Sequence, residues 1–398
     1  MTIIFLAYDC NMTFIANELR FLLASDKVKE VKVYTDFPIQ DDGIAFHDKC
    51  TVFVYGKIYQ KVLKIPFRKI AFTEIISHLK WYVRHNKWKE LLINLRNHLK
   101  KASFIHENGI PDDAILYSYW AGSGAFIISC LKRFGLKNLA LSRLHAFDIY
   151  EDGDNHGHIP WRRFVLTQLN RLITISNHGE NYLSRRYPWT REKIKTRLLG
   201  IKQDDYPLNT APNESDNMHV VSCSWVGTRK NLGRVFQSLK NENATWTHLG
   251  DGENFDELKA IVEQSSALKV NLPGKLTQDE IRQYYSQTPI TCFITLSTNE
   301  GLPVSMMEAQ AFGIPIVSTD VGGCSEIVTP ETGVLLPKNY TDADVVNAVR
   351  YCAEKFSSPE SRQRIQEFCK EKFSAEKNYE SFLDFLYTEN QKHLNHGL

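Results

Sequence analysis

The chain has 398 residues, which is enough for two or three domains with large cores. It is 43% hydrophobic and 24% charged, with 21 glycines and 14 prolines, and this composition excludes disordered, collagen-like and coiled-coil chains. Its apolar runs fall far short of the roughly 20 residues that a membrane-spanning helix needs, so no transmembrane helix is expected.

The net charge of +2 hides an asymmetry between the two halves of the chain. Residues 1–200 carry 30 Lys and Arg against 19 Asp and Glu, whereas residues 201–398 carry 18 against 27. We expect two distinct domains, of which only the first attracts an anionic surface. The eight cysteines have no C-x-x-C spacing and mostly lie in apolar segments, so they are interpreted as buried thiols.

Short apolar, β-rich runs alternate with longer helical patterns along the whole chain, which is typical of βαβ units around parallel sheets. The opening MTIIFLAYD has no basic residue, so it is interpreted as a strand of a cytoplasmic protein and not as a signal peptide. Strands are predicted in two series, at 2–7, 30–35, 51–55, 114–119, 139–142 and 172–176, and then at 219–224, 245–249, 268–272, 290–296, 314–318 and 333–336.

The polar, aperiodic segment 203–217 separates the two series and is the best candidate for a linker. The predicted domains are therefore 1–202 and 218–374, both α/β and doubly wound. An amphipathic helix at 375–390 is expected to pack back on the first domain. The carboxyl ends of the strands in the two sheets are predicted to face each other across a cleft, and this cleft is expected to hold the ligand.

Residues 57–101 contain twelve Lys and Arg but only two acidic residues, Glu74 and Glu90, and are interleaved with aromatic side chains. Basic amphipathic helices of this kind suit an anionic membrane surface. An inert solvated face is the alternative interpretation. Nucleic acid is not expected as a partner, because no recognised binding module accompanies the patch.

The segment 297–328 carries the clearest sign of a ligand site. A helix of about ten residues is predicted to begin near Pro303 and to stop before Gly313, and Glu308 is its only charged residue. A carboxylate on such a buried helix needs partners, either two ligand hydroxyls or a core arginine. The amides at 301–304 are predicted to bind a diphosphate, and Gly322 and Gly323 allow a second close backbone approach.

Glu300 and Glu308 reproduce the Glu-x7-Glu signature of family 4 retaining glycosyltransferases, which have the GT-B fold of two Rossmann-like domains. The resemblance extends over most of the chain, through VSCSWVGTRKNL (221–232), HLGDGE (248–253), NLPGKL (271–276), DVGGCSEIV (320–328), LYSYW (116–120) and SRLHAFDIYE (142–151). It implies that Glu308 holds the nucleotide ribose, that Glu300 touches the donor sugar, and that Gly301, Leu302 and Pro303 meet sugar and phosphate.

The resemblance also implies an arginine and, five residues later, a lysine against the donor diphosphate. Lys230 occupies the second position, but Trp225 occupies the first. Adjacent Arg229 is the candidate replacement, because a guanidinium can grip two phosphate oxygens. Its side chain pointing away from the site is the alternative.

His145 and Asp148 follow a predicted strand of the first domain. In the family that the chain resembles, a histidine at this position commonly contacts the donor sugar, whereas Asp148 has a helix-capping role as its alternative. A nearby cluster has the residue types of a metal site, but it is interpreted as a mobile polar loop and no metal is predicted. That cluster comprises Asp152, Asp154, His156 and His158.

The resemblance therefore implies a retaining transferase that moves a hexose from a UDP- or GDP-sugar to a lipid-linked glycan in surface-polysaccharide assembly. The glycan is an O-antigen, a capsule or an exopolysaccharide, and the protein is expected at the cytoplasmic face of the membrane without a cofactor. Two alternatives stay open, a GT-B sugar-nucleotide epimerase and a non-catalytic sugar-nucleotide-binding module.

Overall fold

The computed structural model describes residues 1–56, 67–152, 157–202, 206–210, 218–263 and 267–396. The chain divides into two compact units. The first unit comprises Met1–Ile175, Gly179–Arg197 and Tyr379–Leu398, and the second comprises Ser176–His178 and Leu198–Asn378.

The first unit is built on a fully parallel sheet with the strand order β3-β2-β1-β4-β5-β6-β7. Strand β1 is buried along its whole length, because helices cover both faces of a parallel sheet. The elements up to residue 197 are β1 (Thr2–Leu6), α1 (Thr13–Ala24), β2 (Glu30–Thr35), α2 (Asp42–Ala45), β3 (Cys50–Val54), α3 (Phe67–Ser77), α4 (Leu79–Arg84), α5 (Trp88–Glu107), β4 (Ile115–Ser118), α6 (Ser123–Phe134), β5 (Ala140–Leu144), α7 (Ala146–Ile149), α8 (Arg162–Gln168), β6 (Arg171–Thr174), α9 (Asn177–Arg186) and β7 (Ile194–Thr196).

The second unit has its own parallel sheet, with the order β10-β9-β8-β11-β12-β13. Trp246, in the strand next to the middle of this sheet, is fully buried in its core. The elements are β8 (Met218–Cys223), α10 (Leu232–Leu239), β9 (Ala244–Leu249), α11 (Phe255–Val262), β10 (Lys269–Gly274), α12 (Gln278–Gln287), β11 (Cys292–Thr295), α13 (Val304–Gln310), β12 (Ile316–Thr319), α14 (Cys324–Ile327), β13 (Gly333–Leu336), α15 (Asp342–Lys355) and α16 (Pro359–Lys372).

The last helix, α17 (Ala375–His396), is longer than the predicted 375–390. Its apolar stripe of Phe382, Leu383 and Leu386 lies in the core of the first unit, with Phe5 and Tyr117. Spacings of three and four residues place these side chains on one face of a helix, so the stripe readable in the sequence is the buried face.

All twelve predicted strands are present, with ends shifted by at most a few residues, and the doubly wound α/β prediction is confirmed. The sequence analysis missed β7, a three-residue edge strand that pairs with β6. Its IKT sequence is too short to show a strand periodicity, and Lys195 within it is exposed.

Part of the predicted linker packs inside the second unit. Asn209 is buried, and its Nδ2 donates to the carbonyls of Tyr285 and Thr288 at 2.6 and 2.7 Å. Its Oδ1 accepts from Nη1 of Arg362 at 2.9 Å. The polar residue Asn209 is therefore a buried part of the second unit and not of an exposed linker. Residues 203–205 and 211–217 lie outside the described part of the chain.

Across the residues that the structure describes, no helix combines the length and the apolar character needed to cross a bilayer. All eight cysteines are free thiols, and six of them are buried. Burial raises the pKa of Cys10 and Cys324 to about 12, so these two thiols stay protonated at neutral pH. The prediction of buried thiols is confirmed for those six.

Candidate functional site

The second sheet reverses its strand order between β8 and β11. Loops leave the carboxyl ends of these two strands in opposite directions, and ligands of doubly wound sheets bind in the crevice that results. The loop after β8 carries Lys230, and the loop after β11 carries Glu300. The site predicted from the sequence for this domain therefore lies at its topological switch point.

Lys230 and Glu300 form an ion pair across this point. Nζ of Lys230 lies 2.6 Å from Oε1 of Glu300, whose side chain is only 11% exposed. The loops are also joined through the main chain, where the amide of Thr298 donates to the carbonyl of Arg229 at 2.9 Å. Two residues that are 70 positions apart in the sequence thus form an ion pair at the carboxyl edge of the second sheet.

Gly322 and Gly323 let the loop after β12 approach the loop after β11. Gly322 has φ +54°, and a Cβ built on it would lie 1.6 Å from the carbonyl oxygen of Glu300. Gly323 donates its amide to the carbonyl of Gly301 at 2.9 Å. A side chain at either glycine would displace the backbone of the Glu300 loop, so this close approach requires glycine.

Glu308 lies on α13, which is seven residues long and therefore shorter than the predicted ten. Its side chain is half-buried, and within the described part of the chain no donor lies within hydrogen-bond distance of its carboxylate. Burial raises the pKa of Glu308 to about 7, and the charge of Arg282 opposes that shift. The buried Arg362 binds Asn209 and backbone carbonyls instead, so the core-arginine alternative is not observed.

The predicted anion site at 301–304 differs in detail from what the structure shows. Pro303 is the N-cap of α13 and has no N–H group, and the helix begins only at Val304. The side chain of Leu302 is buried in the protein. Any contact of these residues with a phosphate would therefore come from the amides of Gly301, Leu302 and Val304, and the helix is too short to contribute a strong dipole.

Trp225, at the position where the resemblance implies an arginine, is 63% exposed. Arg229 is half-buried in the turn Thr228–Lys230, and its carbonyl is the acceptor that ties this turn to Thr298. The backbone of Arg229 thus lies beside the Glu300 loop. The replacement of the family arginine by Arg229 stays a prediction.

In the first unit, Asp148 has the capping contacts that the sequence analysis held as its alternative role. It accepts from the amide of His145 at 2.5 Å and from the amide of Ala121 at 2.7 Å. Burial raises the pKa of Asp148 to about 7, while the charge of Arg162 and these amides oppose the shift. Asp148 therefore fixes the turn that carries His145.

His145 itself is held in a defined orientation. Its ring stacks on Tyr119, with centroids 4.9 Å apart, and hydrogen-bonds to the backbone of the same residue. Burial lowers the pKa of His145 to about 3, and the charge of Arg143 adds to the shift. Nε2 is buried without a hydrogen-bond partner among the described residues, and the imidazole is neutral at physiological pH. Its contact with a donor sugar stays a prediction.

The sequence analysis did not name Tyr119 and Ala121 as site residues. Both follow β4, directly beside the carboxyl end of β5, and they orient His145 and Asp148. The aromatic run LYSYW was noted only as part of the resemblance. The aromatic residues that follow the central strand β4 were the feature of the sequence that could have indicated Tyr119 as a site residue.

The fold and the site of the second unit define a class: a doubly wound α/β domain that binds its ligand at the switch point of a parallel sheet. Residues 214–372 match the family model described as glycosyl transferases group 1. Over these residues the chain is similar to that family, so the resemblance that the motifs predicted is confirmed for this part of the chain.

Curated glycosyltransferases are similar in sequence to part of this chain. The amylovoran biosynthesis glycosyltransferase AmsK of Erwinia amylovora is 28% identical over 169 residues, which are 40% of this chain and 41% of that protein. The putative colanic acid biosynthesis glycosyltransferase WcaL of Escherichia coli K12 is 26% identical over 160 residues, 37% of this chain and 39% of that protein. The alignments thus span about two fifths of the length of these two relatives.

Solved structures confirm the GT-B fold. The lipopolysaccharide outer core galactosyltransferase WaaB, in its apo form, matches with a TM-score of 0.70 at 15% identity over 98% of this chain and 100% of that one. Alr3699/HepE of Anabaena, in complex with UDP-glucose, matches with a TM-score of 0.68 at 16% identity over the same shares. At this identity the likeness establishes the fold alone.

Proposed function

We propose that this protein is a retaining glycosyltransferase that moves a hexose from a UDP- or GDP-sugar to a hydroxyl of a lipid-linked glycan in surface-polysaccharide assembly. The observation that carries the proposal is the half-buried carboxylate of Glu308, which has no hydrogen-bond donor among the described residues and only the charge of Arg282 to offset its burial. A desolvated carboxylate of this kind is costly unless a ligand supplies donors, and two ribose hydroxyls do so. The family of the second unit and the UDP-glucose held by a structural neighbour support this choice of ligand.

The charged residues at the switch point suit the rest of the donor. Lys230 provides a cation for the diphosphate, and Glu300 holds that ammonium in place and offers an acceptor to a sugar hydroxyl. In the reaction, the bond from the anomeric carbon to the diphosphate oxygen breaks, and a bond to the acceptor oxygen forms on the same face. The acceptor proton passes to the departing diphosphate, so the protein acts by positioning the reactants and stabilising charge.

No metal or cofactor has a role in this proposal. The diphosphate charge is offset by Lys230, by backbone amides of the Gly301 loop and, if it turns toward the site, by Arg229. Each charge-assisted hydrogen bond of this type contributes about 1.5–3 kcal/mol. Two or three of them can replace a magnesium ion at a diphosphate.

The helices of the first unit support a lipid-linked acceptor and a membrane surface. Seven large apolar side chains on α3, α4 and α5 are between 43% and 67% exposed. They are Phe72, Ile76, Leu79, Val83, Trp88, Leu92 and Ile93.

Basic side chains accompany this apolar surface. Lys80 and Arg84 on α4, Lys87 directly before α5 and Lys89 on α5 are all exposed. Lys87 is paired with Glu90 at 2.6 Å, and Lys101 is paired with Asp36 at 2.5 Å. A surface that combines exposed apolar and basic groups suits an anionic bilayer. The lysines and arginines at 57–69 lie where side chains are not described.

A cavity of about 270 Å³ opens beside these helices. Aromatic rings of Trp81, Tyr82, Phe126 and Trp161 line much of it, and Lys87 and Asn94 also line it. A cavity with apolar walls and a few polar groups suits an amphipathic ligand, and its volume is near the lower end of the roughly 300–1,000 Å³ of small-molecule sites. It fits the part of a lipid-linked acceptor where hydrocarbon and polar head meet.

Product analysis tests the proposal and separates it from its two alternatives. The protein is incubated with a panel of UDP- and GDP-sugars, with and without a membrane extract as the source of acceptor lipid. A transferase forms a glycosylated lipid and free nucleoside diphosphate only when acceptor is present. Isomerised donor without acceptor would establish the epimerase, and binding without any product would establish the binding module.

A thermal-shift screen identifies the donor first. A ligand present at 100 times its dissociation constant stabilises the folded state by about 2.7 kcal/mol, which is easily seen as a raised melting temperature. NMR of the product then reports whether the anomeric configuration of the donor is retained. An inverted configuration would overturn the retaining mechanism while leaving the transferase activity in place.

A further inference from the structure

A compact group of three metal-ligating side chains lies in the first unit, in residues to which no role in the donor site was assigned. Glu74 comes from α3, His78 from the junction of α3 and α4, and His158 from the segment that follows α7. Their ligand atoms all lie within 4.8 Å of one another. Nε2 of His158 is 3.0 Å from Oε1 of Glu74, and Nδ1 of His78 is 3.7 Å from the same oxygen.

This group is built into the protein and is not a chance cluster on its surface. The side chains of Glu74 and His158 are 8% and 6% exposed. The hydroxyl of Tyr82 supports them, since it donates to Oε1 of Glu74 at 3.0 Å and lies 3.2 Å from Nε2 of His158. A buried carboxylate beside two imidazoles, with a tyrosine hydroxyl hydrogen-bonded to the carboxylate, has the composition of a transition-metal site.

We propose that Glu74, His78 and His158 bind a zinc ion. One carboxylate and two imidazoles form a ligand set that zinc prefers over magnesium or calcium, which favour oxygen alone. A tetrahedral ion with bonds of about 2.0–2.1 Å separates its ligand atoms by about 3.3 Å. The observed separations of 3.0 and 3.7 Å from the carboxylate oxygen bracket that value.

Metal binding requires one ring to turn. The rings of His78 and His158 are stacked with centroids 4.0 Å apart, so their nitrogens do not yet converge on one point. The side chain of His78 is 40% exposed, and turning its ring toward the carboxylate would release Nδ1 from the backbone carbonyl of Glu74, which is 3.3 Å away. The exposed side is also where a water completes the four ligands of the ion.

The ion would join two parts of the first unit that are far apart in sequence. It would tie the α3–α4 junction to the segment around His158, three residues before Trp161, and Trp81, Tyr82 and Trp161 all line the cavity described above. Zinc would thus fix one wall of that cavity. This role is structural and separate from the donor site, and it does not depend on the proposed transferase activity.

The site also revises one interpretation of the sequence. His158 was assigned to a mobile polar loop together with Asp152, Asp154 and His156, but it is buried and bonded to Glu74. Asp154 and His156 lie outside the described residues. The metal partner of His158 is a glutamate 84 positions earlier in the chain, which no local spacing could indicate.

The test is a zinc titration of the full-length, tag-free protein after removal of metals by a chelator. Isothermal titration calorimetry should show one zinc ion per chain, and cobalt should give the visible absorption of a four-coordinate site. His158→Gln and Glu74→Gln should each weaken binding at least about tenfold, a loss that changes in groups hydrogen-bonded to metal ligands already reach. The control is His106→Gln, which changes an exposed histidine on α5 and should bind zinc like the wild type.

His78→Asn keeps the test valid if a buried variant fails to fold, because His78 is half-exposed. Zinc should raise the melting temperature of the wild type and of His106→Gln but not that of His78→Asn. Absence of stoichiometric binding, or equal binding by all four variants and the wild type, would overturn the proposal. No donor or acceptor is present in these measurements, so their outcome is independent of the transferase test.

Discussion

Lys230 and Glu300 meet at the point where the second sheet reverses its strand order, with Nζ of the lysine 2.6 Å from Oε1 of the glutamate. The lysine follows β8 and the glutamate follows β11, so the pair exists only because these two strands are neighbours. The ammonium of Lys230 has three N–H donors, so it can donate to a phosphate oxygen while the carboxylate of Glu300 still holds it at the carboxyl edge of the sheet.

Replacing Lys230 with Met should weaken binding of the donor sugar nucleotide about tenfold or more, because one charge-assisted hydrogen bond of about 1.5–3 kcal/mol is lost. Calorimetry with UDP-glucose and GDP-mannose measures the effect on whichever nucleotide sugar binds. Lys269→Met is the matched control, since this exposed lysine opens β10 at the opposite edge of the same sheet. Equal affinities for the two variants would contradict the assigned role of Lys230.

Glu308 should make donor binding depend on pH. Its pKa of about 7 means that roughly one tenth of the free protein carries the carboxylate at pH 6 and about nine tenths at pH 8. Ribose hydroxyls donate to the ionised form, so affinity for the sugar nucleotide should fall about tenfold as the pH is lowered from 8 to 6. Glu308→Gln should bind more weakly at pH 8 and lose most of this dependence. A pH profile that the substitution leaves unchanged would assign the titration to another group.

Gly322→Ala should displace the Glu300 loop, lower the stability of the second unit and weaken donor binding. The comparison variant is Gly274→Ala, because Gly274 also has a positive φ, of +82°, but an added Cβ there has no atom within 4 Å. Both substitutions incur the left-handed backbone cost of about 1–2 kcal/mol, whereas only Gly322→Ala adds a clash with the Glu300 carbonyl. Urea unfolding and donor titration of the two variants measure the difference. Equal losses would show that the close approach is unimportant.

Donor binding should be independent of divalent ions. The site is expected to offset the diphosphate with Lys230 and backbone amides, so the dissociation constant should be the same in excess EDTA and in 5 mM magnesium to within about a factor of two. Binding of the donor is the readout chosen, because it reports on the second unit, whereas the zinc site is in the first. A loss of affinity in EDTA that magnesium alone restores would refute metal independence.

The helices α4 and α5 should bind anionic bilayers. Each basic residue near such a surface contributes about 1 kcal/mol, so changing Lys80, Arg84, Lys87 and Lys89 to Gln should weaken binding by about 4 kcal/mol, nearly a thousandfold. Sedimentation with vesicles with and without phosphatidylserine measures the effect, and high salt should act in the same direction. All four residues are exposed.

A second quadruple variant controls for the change in net charge. Lys259, Lys269, Lys275 and Lys338 are exposed in the second unit, and changing all four to Gln removes the same number of charges. This variant should sediment with anionic vesicles like the wild type. If both quadruple variants sediment equally, or if the wild type does not bind, the basic segment is only a solvated face.

Much of the architecture was readable from the sequence. Short runs of four to six residues that are rich in apolar and β-branched side chains, alternating with helical patterns, located twelve of the thirteen strands without tertiary information. The Glu-x7-Glu spacing and the glycines at 322 and 323 marked the loops of the candidate site for the same reason: each signal is contained in one short segment. The edge strand β7 was missed because three residues carry too little pattern.

Relations between distant segments were decided only by the tertiary structure. The sequence could not pair Lys230 with Glu300, show that Glu308 lacks a core arginine, or assign Asp148 to capping, because each of these facts depends on which strands become neighbours. His158 is another example of a contact that the sequence could not indicate. Its neighbours in the sequence are polar loop residues, but in the structure it is buried and paired with Glu74. Local periodicity determines which segments become strands and helices, whereas the chemistry of a site depends on contacts across the sheet, and these exist only after the chain has folded.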